Sequence, residues 1–534
     1  MNAGALRGRV ILGALVVVLV SVLIYIPGLG RNGLRSTEGH RTIPGWHILE
    51  TGEWLPTRMF EAVYVRKPPG MPWAICLSSM ALGETEFAAR LPSAIGSVLG
   101  ALLVFLFAWR WFGSLGGAVA SGLAQALAPG LWAPGRSAEI ETLNNLATAL
   151  FALGAIELLV FQRARATLEG VAARTSARAI GALAVAVGLF GFALMKGPAS
   201  LPVALGVLLA CAIVSGMKST LRSGWAWGGL GLGLVCIATL GWFVLHAMGD
   251  AAATLSGSDA AAASVGASAP EAEGVGDKLF WWHLWRESDI GEILALAPLT
   301  FAGALPGALA LLFPFGPDAR GEAATGPSLV RLRVARALAI GFLLSTAIYL
   351  VVGVSNPRYT MPAVVLAAPT VGYVWRSLRD GMTPARQGIA RVMMLGHPVV
   401  LLTVLVGAAV WWVIVAEPKR GLDSGREAGA QIGQWLPDGA EIWADELIES
   451  RPETLLYAQL EAAKEGRSIR PVWKPGLRGQ WTNGMYIAVV RSGGMAAGEE
   501  QRVREAPGWS VEEIGLVRVH VYDTAVLRLS VAPE

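Results

Sequence analysis

The chain has 534 residues, 54% of them hydrophobic and only 15% charged, with a mean hydropathy of +0.52. Soluble globular chains carry about 25% charged residues, so a soluble enzyme is excluded, and disordered or fibrous chains fall too because the 65 glycines follow no fixed period. The 43 Lys and Arg against 39 Asp and Glu leave a net charge of +4, and the arginines lie between apolar runs, an orientation signal rather than a nucleic-acid footprint.

The first apolar run, 10–26, follows Arg7 and Arg9 and is followed by Pro27 and Arg31 without a small-residue cleavage site. It reads as a retained signal anchor with a cytoplasmic amino end. Further runs lie at 91–112, 116–133, 142–161, 179–195, 199–216, 225–248, 290–314, 334–354, 359–375 and 393–416. Together they predict about eleven spans, each near the ~17–25 residues a bilayer requires. The arginine-bearing loops at 163–178, 218–222, 320–336 and 376–391 are every second loop, which threads all four onto the cytoplasmic side.

That threading puts five polar segments outside: loop 28–90, turn 134–141, the Lys196-Gly197-Pro198 turn, loop 249–289 and the residues after 416. Residues 251–269 are Gly, Ser and Ala-rich and read as mobile. Phe280-Trp281-Trp282 and Trp285 read as an interfacial belt. Beyond 416 the composition turns acidic and turn-rich, with alternating runs at 485–490 and 516–521 and a helical stretch at 452–463. The expectation is an all-α polytopic membrane domain over 1–416 and a small extracytoplasmic α/β domain over 417–534. Cys76, Cys211 and Cys236 have no ligand spacing and read as packing residues. His40, His47, His246 and His283 are too scattered for a ligand set, so neither metal nor cofactor is expected. No matching pair of broken helices points to an inverted-repeat transporter.

The polar chemistry concentrates in loop 28–90. It contains Arg35-Ser36-Thr37-Glu38-Gly39-His40-Arg41, then Gly52-Glu53-Trp54, then Arg66-Lys67-Pro68-Pro69, and closes with Arg90-Leu91-Pro92-Ser93. An acid, a cationic pair held by a stiff Pro-Pro step and an arginine at the membrane entry suit a charged lipid headgroup. The stretch resembles the first outer loop of GT-C glycosyltransferases, the group of protein O-mannosyltransferases and lipid A aminoarabinose transferases (glycosyltransferase family 39). Gly52-Glu53-Trp54, Lys67-Pro68-Pro69 and Arg90-Leu91-Pro92-Ser93 match in order and spacing. Arg136 with Glu139 and Glu141, the Lys196-Gly197-Pro198 turn and Asn356-Pro357-Arg358-Tyr359 match more loosely further along. Where the family carries an Asp-Glu pair this chain has Thr37-Glu38, and Arg66 replaces the acid common before Lys-Pro-Pro in the lipid A enzymes.

The resemblance implies a polytopic GT-C fold in the cytoplasmic (inner) membrane. It also implies transfer of a sugar from a polyprenyl-phosphate carrier to a lipid, glycan or protein acceptor at the outer face. A carboxylate takes the acceptor's proton, and cations stabilise the phosphate leaving group. Glu38 is the first candidate base, with Glu139 and Glu141 as alternatives. Lys67, Lys196, Arg66, Arg90, Arg136 and Arg358 are the candidate donor-phosphate cations. Each has a plainer reading: Glu38 as a helix cap, Lys67 as a snorkelling lysine, Lys196 as a span-end anchor, and Arg136 with the two glutamates as a membrane-edge ion pair. A polyprenyl-phosphate or sugar-lipid binding protein or carrier without turnover is the competing function.

Overall fold

The structure is a computed structural model and describes residues 3–60, 62–64, 67–170, 174–254, 290–311, 313, 326–354, 356–379, 407, 425–444, 451–472, 483–492, 499–519 and 522–531. Chain contacts divide it into two units. The first comprises residues 1–27, 92–241 and 277–413, and the second 28–91, 242–276 and 414–534.

Among the described residues, six helices are long and apolar enough to cross a membrane: Gly4–Tyr25, Glu86–Phe112, Glu141–Leu168, Thr175–Ser215, Gly224–Ala247 and Pro327–Val351. Only 28% of the most apolar window of the first and 11% of that of the fifth is buried, and Leu12, Leu19, Leu23, Val235 and Leu245 stand exposed along them. Apolar faces of this extent on helices of spanning length suit a lipid surrounding. The segment Thr175–Ser215 holds two expected runs, because Gly197 takes φ +64° and ends the helix Thr175–Lys196 before Leu201–Ser215 begins.

The apolar runs did not all become single helices. Run 116–133 breaks into Leu115–Ala126 and Pro129–Trp132, and run 359–375 into the short pieces Pro357–Tyr359, Met361–Ala363 and Val364–Ala367 before Thr370–Arg379. Proline accounts for the interruptions at 129, 357, 362 and 369, since it lacks an N–H and clashes with the preceding turn. The expected run 393–416 apart from residue 407, the 280–285 aromatic cluster and Arg66 lie outside the described residues.

Within the first unit, small residues let the helices approach closely. A Cβ on Gly188 would come within 2.6 Å of Ala147 O, joining the Thr175 and Glu141 helices; one on Gly206 would meet Ser345 Oγ at 2.5 Å, joining the Leu201 and Pro327 helices. The Glu141 helix carries a wider π turn at Glu157–Phe161. There the buried Glu157 pairs with Arg110 at 2.6 Å and accepts from Trp111 Nε1 at 2.8 Å, the pairing a charge inside a span requires.

The second unit corrects the reading of 28–90 as a loop. It holds the helices Gly39–Thr51 and Gly70–Leu82 and a short hairpin, β1 (Arg58–Met59) with β2 (Ala62–Val63). The carboxyl-terminal part is the expected α/β fold: β3 (Ala440–Trp443), β4 (Ile469–Val472), β5 (Tyr486–Ser492), β6 (Trp509–Val519) and β7 (Tyr522–Val531), in the order β4-β3-β5-β7-β6. β3 runs parallel to β4 and β5, whereas β7 is antiparallel to β5 and β6. Trp443, Ile487, Val489, Leu527 and Leu529 fill its core. The helix Pro452–Lys464 packs chiefly on the helix Arg426–Trp435, and also meets β4 and the Gly39 helix.

Candidate active site

In the second unit, Glu38 is only 1% exposed and closes a two-point ion pair with Arg90: Nε to Oε1 at 2.7 Å and Nη2 to Oε2 at 2.8 Å. The Arg35 N–H donates to Oε2 at 3.0 Å. Arg90 also donates to the carbonyls of Leu29 and Asn32 through Nη1 and of Gly33 through Nη2. All five guanidinium N–H groups are thereby committed to protein acceptors. Arg90, expected at the donor phosphate, instead ties the segment after the first span, and Glu38 is its counter-ion.

Residues flanking this tie lock it further. Tyr457 Oη accepts from the Leu34 N–H at 2.5 Å and donates to Glu86 at 3.0 Å, while Glu86 pairs with Arg426. Arg41 and Tyr64, which sequence reasoning did not select, meet at 2.6 Å, and Arg41 Nε is buried without an acceptor. Glu53 pairs with Arg58 at 2.9 Å, and Trp54 meets Trp73 edge-on. Lys67 is half-buried, two residues before Pro69, the amino-terminal cap of the helix Gly70–Leu82. A helix amino end adds to the positive potential of a lysine beside it.

The first unit holds the other cluster. Lys196 closes the helix Thr175–Lys196 and donates to Glu141 Oε1 at 3.0 Å, both side chains being buried. The Lys196 ammonium also lies 4.5 Å from the centre of the Tyr359 ring, and the Arg358 guanidinium 5.5 Å from the same ring. Burial lowers the Arg358 pKa, but Tyr359, Glu141 and Glu139 offset this and hold it above the ordinary arginine value. Glu141 Oε2 has no hydrogen-bond partner. Here an acid with one free oxygen, two cations and a phenol ring come together from three segments.

Arg136 has hydrogen-bond partners at the end of the first helix. It is 2% exposed and donates to Ile24 O at 2.9 Å and Pro27 O at 2.6 Å, so it caps the carboxyl end of the first helix, where a cation is favoured. Glu139 is half-buried, and its backbone carbonyl accepts from Ser93 Oγ at 3.0 Å. Among the described residues, no group of three or more His, Cys, Asp or Glu is gathered to hold a metal ion.

The chain shares its fold with solved structures of ArnT. The crystal structure of ArnT from Cupriavidus metallidurans bound to undecaprenyl phosphate superposes with a TM-score of 0.62 over 96% of this chain and 97% of that one, at 17% identity. Its apo structure gives 0.61 over 99% and 100%, at 18% identity. Residues 66–242 match the family model described as dolichyl-phosphate-mannose-protein mannosyltransferase. Two curated relatives are undecaprenyl phosphate-alpha-4-amino-4-deoxy-L-arabinose arabinosyl transferases. That of Pectobacterium carotovorum subsp. carotovorum (strain PC1) is 29% identical over 108 residues, 20% of this chain and 19% of its own length. That of Pseudomonas savastanoi pv. phaseolicola (strain 1448A / Race 6) is 32% identical over 90 residues, 17% of each chain. The chain therefore spans under a fifth of the length of the curated relatives it matches.

Proposed function

We propose that this protein transfers a sugar from a polyprenyl-phosphate donor to a lipid, glycan or protein acceptor at the outer face of the inner membrane. The buried Glu141–Lys196 pair in an apolar helical unit, with the half-buried Tyr359 and the exposed Arg358 beside it, carries the reading. A buried charged pair of this kind is expensive inside a membrane protein and marks a candidate substrate site. The fold shared with ArnT supports a lipid-linked donor.

In the proposed reaction the acceptor hydroxyl oxygen bonds to the anomeric carbon as the carbon–oxygen bond to phosphate breaks. The bonding pair leaves with the polyprenyl phosphate, and the acceptor proton passes to a carboxylate. We assign that base to Glu141, because its Oε2 is free whereas both oxygens of Glu38 are engaged. Lys196, which is buried, and Arg358, exposed beside it, supply positive charge for the leaving phosphate. Lys67 retains a proposed donor-phosphate role on the family motif, Arg66 beside it retains one by its charge alone, and Glu139 stays the alternative acid.

One observation favours the non-catalytic reading: Thr37 replaces an acid of the family motif, and its neighbour Glu38 is closed by Arg90. Membranes with and without the protein, fed radiolabelled polyprenyl-phosphate sugars, separate the two. The transferase reading expects protein-dependent movement of at least one label into a lipid, glycan or protein fraction. Label that stays on the carrier in every case would support a binding protein instead.

A further inference from the structure

Four side-chain atoms in the first five residues of the Glu141 helix are buried without a hydrogen-bond partner: Glu141 Oε2, Thr142 Oγ1, Asn144 Nδ2 and Asn145 Oδ1. The four residues are 6%, 1%, 1% and 3% exposed. Buried polar groups are nearly always paired, so such a concentration calls for a ligand or bound water. With 3.6 residues per turn, positions 144, 141, 145 and 142 fall in that order across an arc of roughly 160° of the helix surface. One side of the arc is fixed by neighbours. Ser200 Oγ donates to Asn144 Oδ1 at 3.0 Å, and Lys196 meets Glu141 at the same distance. Whichever way the Asn144 amide is turned, Ser200 satisfies one end and leaves the other.

The chemistry divides along this arc. Glu141 is the charged member, beside Lys196. Thr142, Asn144 and Asn145 are neutral and offer both donors and acceptors. A phosphate presents only acceptors and negative charge, and is met by cations. A glycosyl ring is neutral over most of its surface and both gives and takes hydrogen bonds through its hydroxyls. We propose that Thr142, Asn144 and Asn145 are the residues that recognise the glycosyl ring of the lipid-linked donor, distinct from the cations that meet its phosphate. The proposal rests on the transferase reading and names the part of the substrate that this helix face binds.

The test measures binding of undecaprenyl phosphate and of a panel of undecaprenyl-phosphate-linked sugars to the full-length protein in nanodiscs. Wild type is compared with Thr142→Val and Asn145→Leu, which keep side-chain volume and remove hydrogen-bonding groups. Wild type should bind one or more of the sugar lipids more tightly than undecaprenyl phosphate. Each variant should lose about tenfold in affinity for that sugar lipid, the scale of one buried hydrogen bond, with affinity for undecaprenyl phosphate unchanged. Thr142→Ser, which keeps the hydroxyl, should retain the wild-type preference and shows that the site is intact. Equal loss for both lipids, or no loss for either, overturns the assignment and leaves water as the occupant. Wild type that binds undecaprenyl phosphate but gains nothing from a sugar also overturns it while sparing the donor reading. Wild type that binds neither lipid overturns both.

Discussion

Glu38 and Glu141 are both buried glutamates next to a cation, yet their surroundings give them different tasks. Glu38 has neither oxygen to spare, whereas Glu141 keeps Oε2 open. Removing a positioned base costs about 10²–10⁴ in rate, so Glu141→Gln should lower sugar transfer by at least about a hundredfold while donor affinity holds. Single-turnover kinetics with donor titration checks both; a rate near wild type would remove Glu141 from the chemistry. Glu38→Gln should act on stability instead. It strands the buried Arg90 guanidinium, and breaking a buried pair from one side costs about 3–5 kcal/mol. A lowered melting temperature is expected, and unchanged melting with abolished transfer would return the base role to Glu38. These partners stand 52 and 55 residues apart in the chain. The sequence supplied the residue types and the family motifs around them, but which acid is closed and which stays open depends on long-range pairing. The same holds for Arg136, which donates to a helix end more than a hundred residues away in the chain. Thr142, Asn144 and Asn145 were open to view as polar residues beginning an apolar run, a placement expensive enough to be a signal.

At the scale of elements, the carboxyl-terminal helix Pro452–Lys464 grips the segment that carries Glu38. Tyr457 holds Leu34 N and Glu86, and a Cβ on Gly39 would stand 2.8 Å from Glu453 N. Gly39→Ala should therefore force the two helices apart and expose residues 33–41 to protease, whereas Gly52→Ala, with nothing within 4 Å of its Cβ, should strain only its own turn. Equal protease resistance for wild type and Gly39→Ala would contradict the packing. In the sheet, hydrogen bonds from Arg491 first, and from Arg504, hold Glu500 and Glu513 below the usual carboxylate range. With folded pKa values depressed, their contribution is complete above the unfolded pKa near 4.3 and is lost as pH falls through the folded values. Solvent screening keeps that contribution modest. Hydrogen exchange in β5 and β6, corrected for its intrinsic pH dependence, should accelerate below about pH 4.3 in wild type and less so in Glu500→Gln. The helices within 28–90 were hidden because Pro44, Gly45 and mixed polarity break their apolar period. The terminal sheet was legible from its short apolar runs at 485–490 and 516–521, set in a turn-rich, acidic stretch.

For the whole molecule, long helices with apolar outer faces define a multi-pass membrane protein, and we propose the orientation that the positive-inside bias of its arginine loops favours. A cysteine introduced at 438, on the terminal domain, should label with an impermeant reagent from outside, while one at 169 should label only after the membrane is opened; the reverse pattern would invert the threading. Orientation matters because the proposed donor must meet its acceptor on the outer side. The most direct measurement of the central claim uses purified protein in liposomes containing radiolabelled undecaprenyl-phosphate sugars and an envelope lipid, glycan or protein fraction. Released undecaprenyl phosphate and acceptor-bound label are followed together for wild type and Glu141→Gln. The account predicts that for at least one sugar the two products appear in equal amounts with wild type, and at least about a hundredfold more slowly with the variant. Neither product with any sugar, or the same rate in both proteins, would contradict it.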